Sequence, residues 1–187
     1  MGLAAAVAGV RLTLLDTCYL NAEFDQPLRG AQVRFGDGSP QGGAQRVDVL
    51  RDTDGVRIGA AIHSVRAVSP DDMEHVVKVA GDRGMPLHMH LSEQIAENER
   101  CMAKYGRTPA RVLADVGALR PGSTAVHATH LTDHDASLLA ATRTGVCLCP
   151  TTERDLADGI GPATDLAARG VALSLGSDSH AVIDLFD

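Results

Sequence analysis

The sequence predicts an α/β fold built on parallel strands, and three observations carry that reading. Six short apolar, β-branched runs recur along the 187 residues with helix-type segments between them, the strand–helix–strand rhythm of a parallel sheet. Most runs are nearly continuous in apolar residues rather than alternating, as expected of strands covered on both faces. Aromatic residues are scarce, with no Trp, 2 Tyr and 3 Phe, so the core is built from Ala, Val, Leu and Ile. That composition suits helices packed on a sheet better than an aromatic-rich sandwich.

The elements follow in order. The opening MGLAAAVAGV reads as the tail of a helix ending at Gly9 and running into a strand at 10–15. It has no basic stretch before it and Arg11 follows at once, so it resembles neither a signal peptide nor a membrane span. Residues 16–55 are rich in Gly, Pro, Gln and Arg and read as a long loop between two strands, with at most one short helix near 44–51. Loops of that length commonly serve as lids or binding segments. A strand is predicted at 56–62. Ser69-Pro70-Asp71-Asp72 then supplies a cap, a proline for the first turn and two acids at the positive end of the helix dipole. The next strand is predicted at 86–91. Thr108-Pro109 and Thr132-Asp133 repeat the capping device before helices at 110–116 and 136–142, and strands follow at 124–127, 146–149 and 171–175. Gly106, Gly145 and Gly170 end helices or open the next strand. The length suggests one domain, and no internal repeat is visible.

Charge and cysteine usage narrow the function. Lys and Arg number 17 against 24 Asp and Glu, a net charge of −7. An acidic chain with no basic run is a poor partner for nucleic acid or an anionic membrane, which leaves a small molecule. The 4 cysteines show no C-x-x-C spacing and read as reduced thiols of a cytoplasmic protein. Cys147-x-Cys149 fits a strand better than a metal site.

The chemistry lies where strands end. Four runs finish in ionisable clusters, His63-Ser64-Val65-Arg66, His88-Met89-His90-Leu91-Ser92-Glu93, His127-Ala128-Thr129-His130 and Ser177-Asp178-Ser179-His180, which hold 6 of the 8 histidines. The C-terminal ends of parallel strands are where α/β proteins place their sites. One such histidine is readily a hydrogen-bonded core residue, but four clusters in register are poorly explained that way. Imidazoles with a carboxylate suit Zn²⁺ or a similar divalent ion, which activates water near neutral pH. His88 and His90 share a strand face because the side-chain period is two, with His90 nearer the open end. Glu93 lies where it could move a proton to a leaving amine.

The ordered strings H-L-S-E (90–93), V-H-A-T-H-L-T (126–132) and L-G-S-D-S-H (175–180) resemble the deaminase branch of the amidohydrolase superfamily. The longer strings RLTLLDTCYL (11–20), GAAIHSVRAVSP (59–70) and CPTTERDLADGIGPA (149–163) are similar to those of the enzymes in that branch that convert N-formimino-L-glutamate to N-formyl-L-glutamate and ammonia in histidine degradation. The resemblance implies an incomplete (β/α)8 TIM-type barrel with strands three to eight present, and one Zn²⁺ or similar divalent metal per site. It implies His90 and Asp178 as metal ligands, Glu93 as proton shuttle, and His127 as the residue that orients the attacking water. Asp178 would also take a proton from that water. His63 and Arg66 would bind the carboxylates of a dicarboxylate substrate, where Arg offers a bidentate fork. The full-length form would be a homo-oligomer.

One departure matters. The superfamily's first-strand H-x-H pair, two further ligands, is absent. His88-x-His90 is not that pair, because Asp178 lies 88 residues beyond His90, about three βα units of roughly 30 residues each. The chain alone is therefore expected to bind zinc weakly and turn over little. Two other readings stay open: a ring deaminase of the same branch, which has no need of Arg66, and a non-catalytic remnant. His130 and His180 are expected to support the site, His75 and His134 to lie on solvated helix faces, and Thr151-Thr152-Glu153-Arg154 to open a loop that either lines the pocket or is structural.

Overall fold

A computed structural model describes residues 2–178; His180, with the rest of 179–187, lies outside the described residues. The protein divides into two compact units, Met1–His88 and Met89–Asp187. Two strands pair in parallel in the first unit and the last three strands pair in chain order in the second, and helices alternate with strands as the sequence predicts.

In the first unit, helix α1 (Gly2–Ala8) ends at Gly9, whose φ of +69° favours a residue without Cβ. Strands β1 (Leu12–Cys18) and β2 (Val56–Ile62) pair in parallel over their full length, Leu12 opposite Val56 and Cys18 opposite Ile62. Helix α3 (Pro70–Asp82) starts where its cap predicts, with Ser69 Oγ accepting from the Asp72 N–H at 3.3 Å. Ile58, Ala60, Ile62, Met73, Val76 and Ala80 are buried.

The region 16–55 corrects the expectation of a long loop. Asp16–Cys18 continue β1, because pairing with β2 supplies a ladder that their polar side chains do not advertise. A 3-10 helix covers Gly30–Phe35 and helix α2 covers Pro40–Val49, so the helix begins four residues before the predicted one. Ser39 caps it, Oγ accepting from the Gly42 N–H at 3.2 Å, and Pro40 fills the first turn. Two glycines lower its helical propensity, and Gly42 is required there: a Cβ would stand 2.7 Å from the Asp37 carbonyl oxygen. Arg46 of α2 fastens the segment through Asp16, Nη2 to Oδ2 at 3.0 Å, and through Asp37.

The second unit takes up the chain within β3 (Leu87–Leu91). Helix α4 (Ile95–Tyr105) is closed by Gly106 at φ +65°. Thr108 caps α5 (Pro109–Asp115), and Thr132 and Asp135 form a capping box on α6 (Asp133–Thr142). Buried Asp135 also accepts from Thr108 Oγ1 at 2.6 Å, tying the two helix starts together. Strands β4 (Ser123–His127), β5 (Gly145–Leu148) and β6 (Leu173–Leu175) pair in parallel. Leu113, Leu139 and Leu166 are fully buried, each contributing about 1.5–3 kcal/mol. Residues 151–154 form no loop. Pro150 opens a helix, α7 (Pro150–Asp155), and α8 (Ala163–Ala168) follows. No helix among the described residues is long and apolar enough to cross a membrane.

Candidate metal centre and active site

Three strand exits of the second unit build the site. In β3, Leu87, Met89 and Leu91 are buried while His88 and His90 occupy the other face, as a period of two requires. Burial lowers the His88 pKa below its ordinary value. Strand β4 ends on His127, which is 1% exposed. Its φ is +69°, and that of Ala128 is +54°. Left-handed backbone at residues with a Cβ costs roughly 1–2 kcal/mol each, and here it is held by hydrogen bonds. The Ala128 N–H donates to Leu91 O and the His130 N–H to Ser92 O, both at 3.0 Å. Ser92 is itself left-handed at φ +49°, its N–H given to the buried Glu97 carboxylate at 3.2 Å. Asp178, beyond β6, has φ +56° and accepts from Thr152 Oγ1 at 3.0 Å. The same local device, a strand ending in a left-handed turn, presents a polar side chain at each exit.

These turns bring His90, His127 and Asp178 together. One ligand-type atom from each lies within 4.8 Å of the others, and the His90 and His127 rings stack at 5.5 Å and 19°. Tetrahedral bonds of about 2.0–2.2 Å place the ligand atoms of a zinc ion roughly 3.3–3.6 Å apart. Closing the set from 4.8 Å therefore takes side-chain movement of about 1–1.5 Å, and two imidazole nitrogens with a carboxylate oxygen are a donor set that a divalent transition metal accepts. Glu93 Oε1 stands 3.7 Å from His127 Nε2. Glu153 Oε1 stands 3.5 Å from His127 Nδ1 and accepts the Cys149 N–H at 2.9 Å. Nearby, a hydrogen bond from Cys149 draws the Cys147 thiol down to about 6, and the same bond with burial pushes Cys149 up.

The four residues predicted for metal and proton chemistry, His90, Glu93, His127 and Asp178, thus sit together. Sequence reasoning left both Thr152 and Glu153 undecided between lining the pocket and a structural role; the Thr152 hydroxyl steadies Asp178. The His130 carbonyl accepts from Asn98 Nδ2 at 2.7 Å, and His134 is exposed as expected. His75 departs from expectation: it is half-buried, beside a small cavity of about 20 Å³ shared with Cys18 and Val47.

The two predicted carboxylate-binding residues belong to the first unit. His63 follows β2, stacks on Tyr19 with centroids 4.5 Å apart, and places Nδ1 3.1 Å from Ser64 Oγ. Arg66 lies in the turn beyond it, Nη1 3.9 Å from Glu23 Oε1. Tyr19, Gln32, Phe35 and His63 line one cleft of about 500 Å³.

Fold and site define an α/β protein that gathers metal-type donors where its parallel strands end. The chain belongs to the amidohydrolase family, whose model matches residues 7–187. It is 37% identical over 187 residues to formimidoylglutamate deiminase of Pseudomonas aeruginosa, covering 98% of this chain and 41% of that protein. It is 34% identical over 119 residues to a 5-methylthioadenosine/S-adenosylhomocysteine deaminase of Nitratidesulfovibrio vulgaris, covering 64% of this chain and 27% of that one. Among solved structures it matches an amidohydrolase from Brucella melitensis with a TM-score of 0.88 and 35% identity, covering 98% of this chain and 41% of that one. An adenosine deaminase from Xanthomonas campestris with bound zinc matches with a TM-score of 0.79 and 26% identity, over 96% and 39% of the two chains. The fold is that of an incomplete (β/α)8 barrel, and the chain spans about 41% of the length of the first relative.

Proposed function

We propose that this chain carries the proton-transfer residues and part of the metal site of a deiminase that converts N-formimino-L-glutamate and water to N-formyl-L-glutamate and ammonia. The observation behind it is the convergence of His90, His127 and Asp178 within 4.8 Å, with Glu93 3.7 Å from His127. The 37% identity to a formimidoylglutamate deiminase supports this substrate. His90 and Asp178 would hold Zn²⁺ or a similar divalent cation, which lowers the pKa of water toward neutrality. His127 Nε2 orients the attacking water, and Asp178 accepts a proton from it. Water oxygen bonds to the formimino carbon, its two protons, one taken up by Glu93 and one by Asp178, pass to the terminal nitrogen, and the C–N bond to that nitrogen breaks as the formyl C=O forms and ammonia leaves. His63 and Arg66 are proposed to bind the substrate carboxylates, Arg66 exchanging Glu23 for a substrate carboxylate. The 4 free cysteines among the described residues support a cytoplasmic setting.

A second reading, a ring deaminase, is favoured by the methylthioadenosine and adenosine deaminase relatives. Ammonia release from zinc-supplied protein carrying the complete barrel, measured with N-formimino-L-glutamate and with 5-methylthioadenosine, separates them. Release from the first substrate alone is expected; release from the purine alone would overturn the proposal. Arg66→Met is expected to raise KM for N-formimino-L-glutamate at least tenfold, and an unchanged KM favours the ring substrate.

A further inference from the structure

The deimination scheme gives Glu153 no task, yet this carboxylate is 5% exposed and faces the same imidazole as Glu93. The two carboxylates approach opposite nitrogens: Glu93 lies on the Nε2 side and Glu153 on the Nδ1 side. Glu153 is fixed by the first turn of α7. Its Oε1 accepts the Cys149 N–H at 2.9 Å while its own N–H donates to Cys149 O at 3.0 Å. His127 Nδ1 is shielded from solvent and has no hydrogen-bond partner among the described residues, with Glu153 Oε1 3.5 Å away. A buried N–H left unpaired forfeits its hydration without compensation, so a small ring rotation that closes this gap is favourable. A neutral imidazole carries one proton, and the acceptor facing one nitrogen decides that the other keeps its lone pair.

We propose that Glu153 is a positioning residue that accepts a hydrogen bond from His127 Nδ1–H and so keeps Nε2 unprotonated toward Glu93. Glu153 touches neither substrate nor metal in this role; it acts through the ring. The use made of Nε2 rests on the deimination reading, whereas the tautomer is a property of the chain itself. Glu153 belongs with Thr152 on Asp178 as support for a side chain that does chemistry.

The test is ¹⁵N nuclear magnetic resonance of the histidine rings in the 187-residue chain without metal, at a pH where the imidazole is neutral. The His127 signals are assigned by their loss in His127→Asn. The expected result is the Nδ1–H tautomer in the native chain, conversion to Nε2–H in Glu153→Ala, and retention of Nδ1–H in Glu153→Gln, which keeps an acceptor oxygen. The native chain alone decides one arm, so a variant that fails to fold does not leave the matter open. An Nε2–H tautomer in the native chain, or an unchanged pattern in folded Glu153→Ala, overturns the assignment. An Nδ1–H tautomer lost in Glu153→Ala, together with no ammonia release from N-formimino-L-glutamate by zinc-supplied protein carrying the complete barrel, sinks the deimination reading and leaves this one standing.

Discussion

Replacing His90 with Ala is expected to weaken zinc binding by about 100-fold or more. The second unit offers two proposed ligands, His90 and Asp178, whose ligand atoms lie within 4.8 Å of each other. Structural zinc sites with four protein ligands are worth about 10–16 kcal/mol at pH 7, or roughly 3–4 kcal/mol per ligand. Removing one of the two ligands forfeits that increment, and 1.4 kcal/mol is a factor of ten, so the loss is about 10²- to 10³-fold. The donors must first close from 4.8 Å, which lowers the starting affinity of native and variant chains alike and leaves their ratio. Asp178→Asn keeps an oxygen donor and loses the charge, so its loss is expected to be smaller, about tenfold. His134→Ala, on an exposed face of α6, is the control and is expected to change nothing. Competition against a chromophoric zinc chelator gives the affinities, and circular dichroism confirms that each variant folds. Equal affinity of native and His90→Ala chains, within about threefold, would refute the reasoning, as would an equal loss in His134→Ala.

Three further predictions follow the same geometry. Glu93→Gln is expected to retain zinc, measured by the same competition, while ammonia release from protein carrying the complete barrel falls about 10²- to 10⁴-fold; comparable loss of both would place Glu93 among the ligands instead. Cys101 is wholly buried, and burial, then Glu97 and Asp135, pushes its thiol from an ordinary 9.0 up to about 12. The folded chain therefore holds a proton that the unfolded chain releases: the stabilisation is complete below pH 9 and is lost as pH rises toward 12, at about 1.4 kcal/mol per pH unit. Guanidinium melts between pH 8 and 11 are expected to show a shallower decline in Cys101→Ala, and parallel curves would refute the assignment. Leu139→Ala, at a fully buried position of α6, is expected to destabilise the second unit by about 2–5 kcal/mol, read from the same melts.

What was legible from sequence had a local physical signature. The strand predicted at 56–62 has those bounds in β2, since its apolar run coincides with its pairing partner in β1. Helix starts at Ser69, Thr108 and Thr132 were legible because a cap is a short-range hydrogen bond. The cap at Ser39 has the same chemistry, but the glycines behind it mask the helix, and its anchor is the non-local pairing of Arg46 with Asp16 and Asp37. His90, Glu93, His127 and Asp178 were legible as strand-end clusters, yet their mutual distances were not. The contact of Glu153 with His127 joins α7 to the exit of β4, two elements whose approach no periodicity encodes.

The left-handed turns explain why such a site rests on ordinary-looking sequence. Neither Ser92, His127, Ala128 nor Asp178 is a glycine, so nothing in the residue types announces φ between +49° and +69°. A glycine at any of these positions would relieve the backbone and surrender either a functional side chain or the packing that holds one. At His127 and Asp178 the side chain is itself the functional group, so the cost in backbone energy has to be met by neighbours. For β4 those neighbours are the β3 exit, through Leu91 O and Ser92 O; for Asp178 it is Thr152. Each exit is thereby held by a bond from another element, and the donors converge because the exits restrain one another. Loss of the Thr152 hydroxyl should accordingly loosen Asp178 without touching His90 or His127, which makes Asp178 the ligand whose position depends on the helix that also carries Glu153.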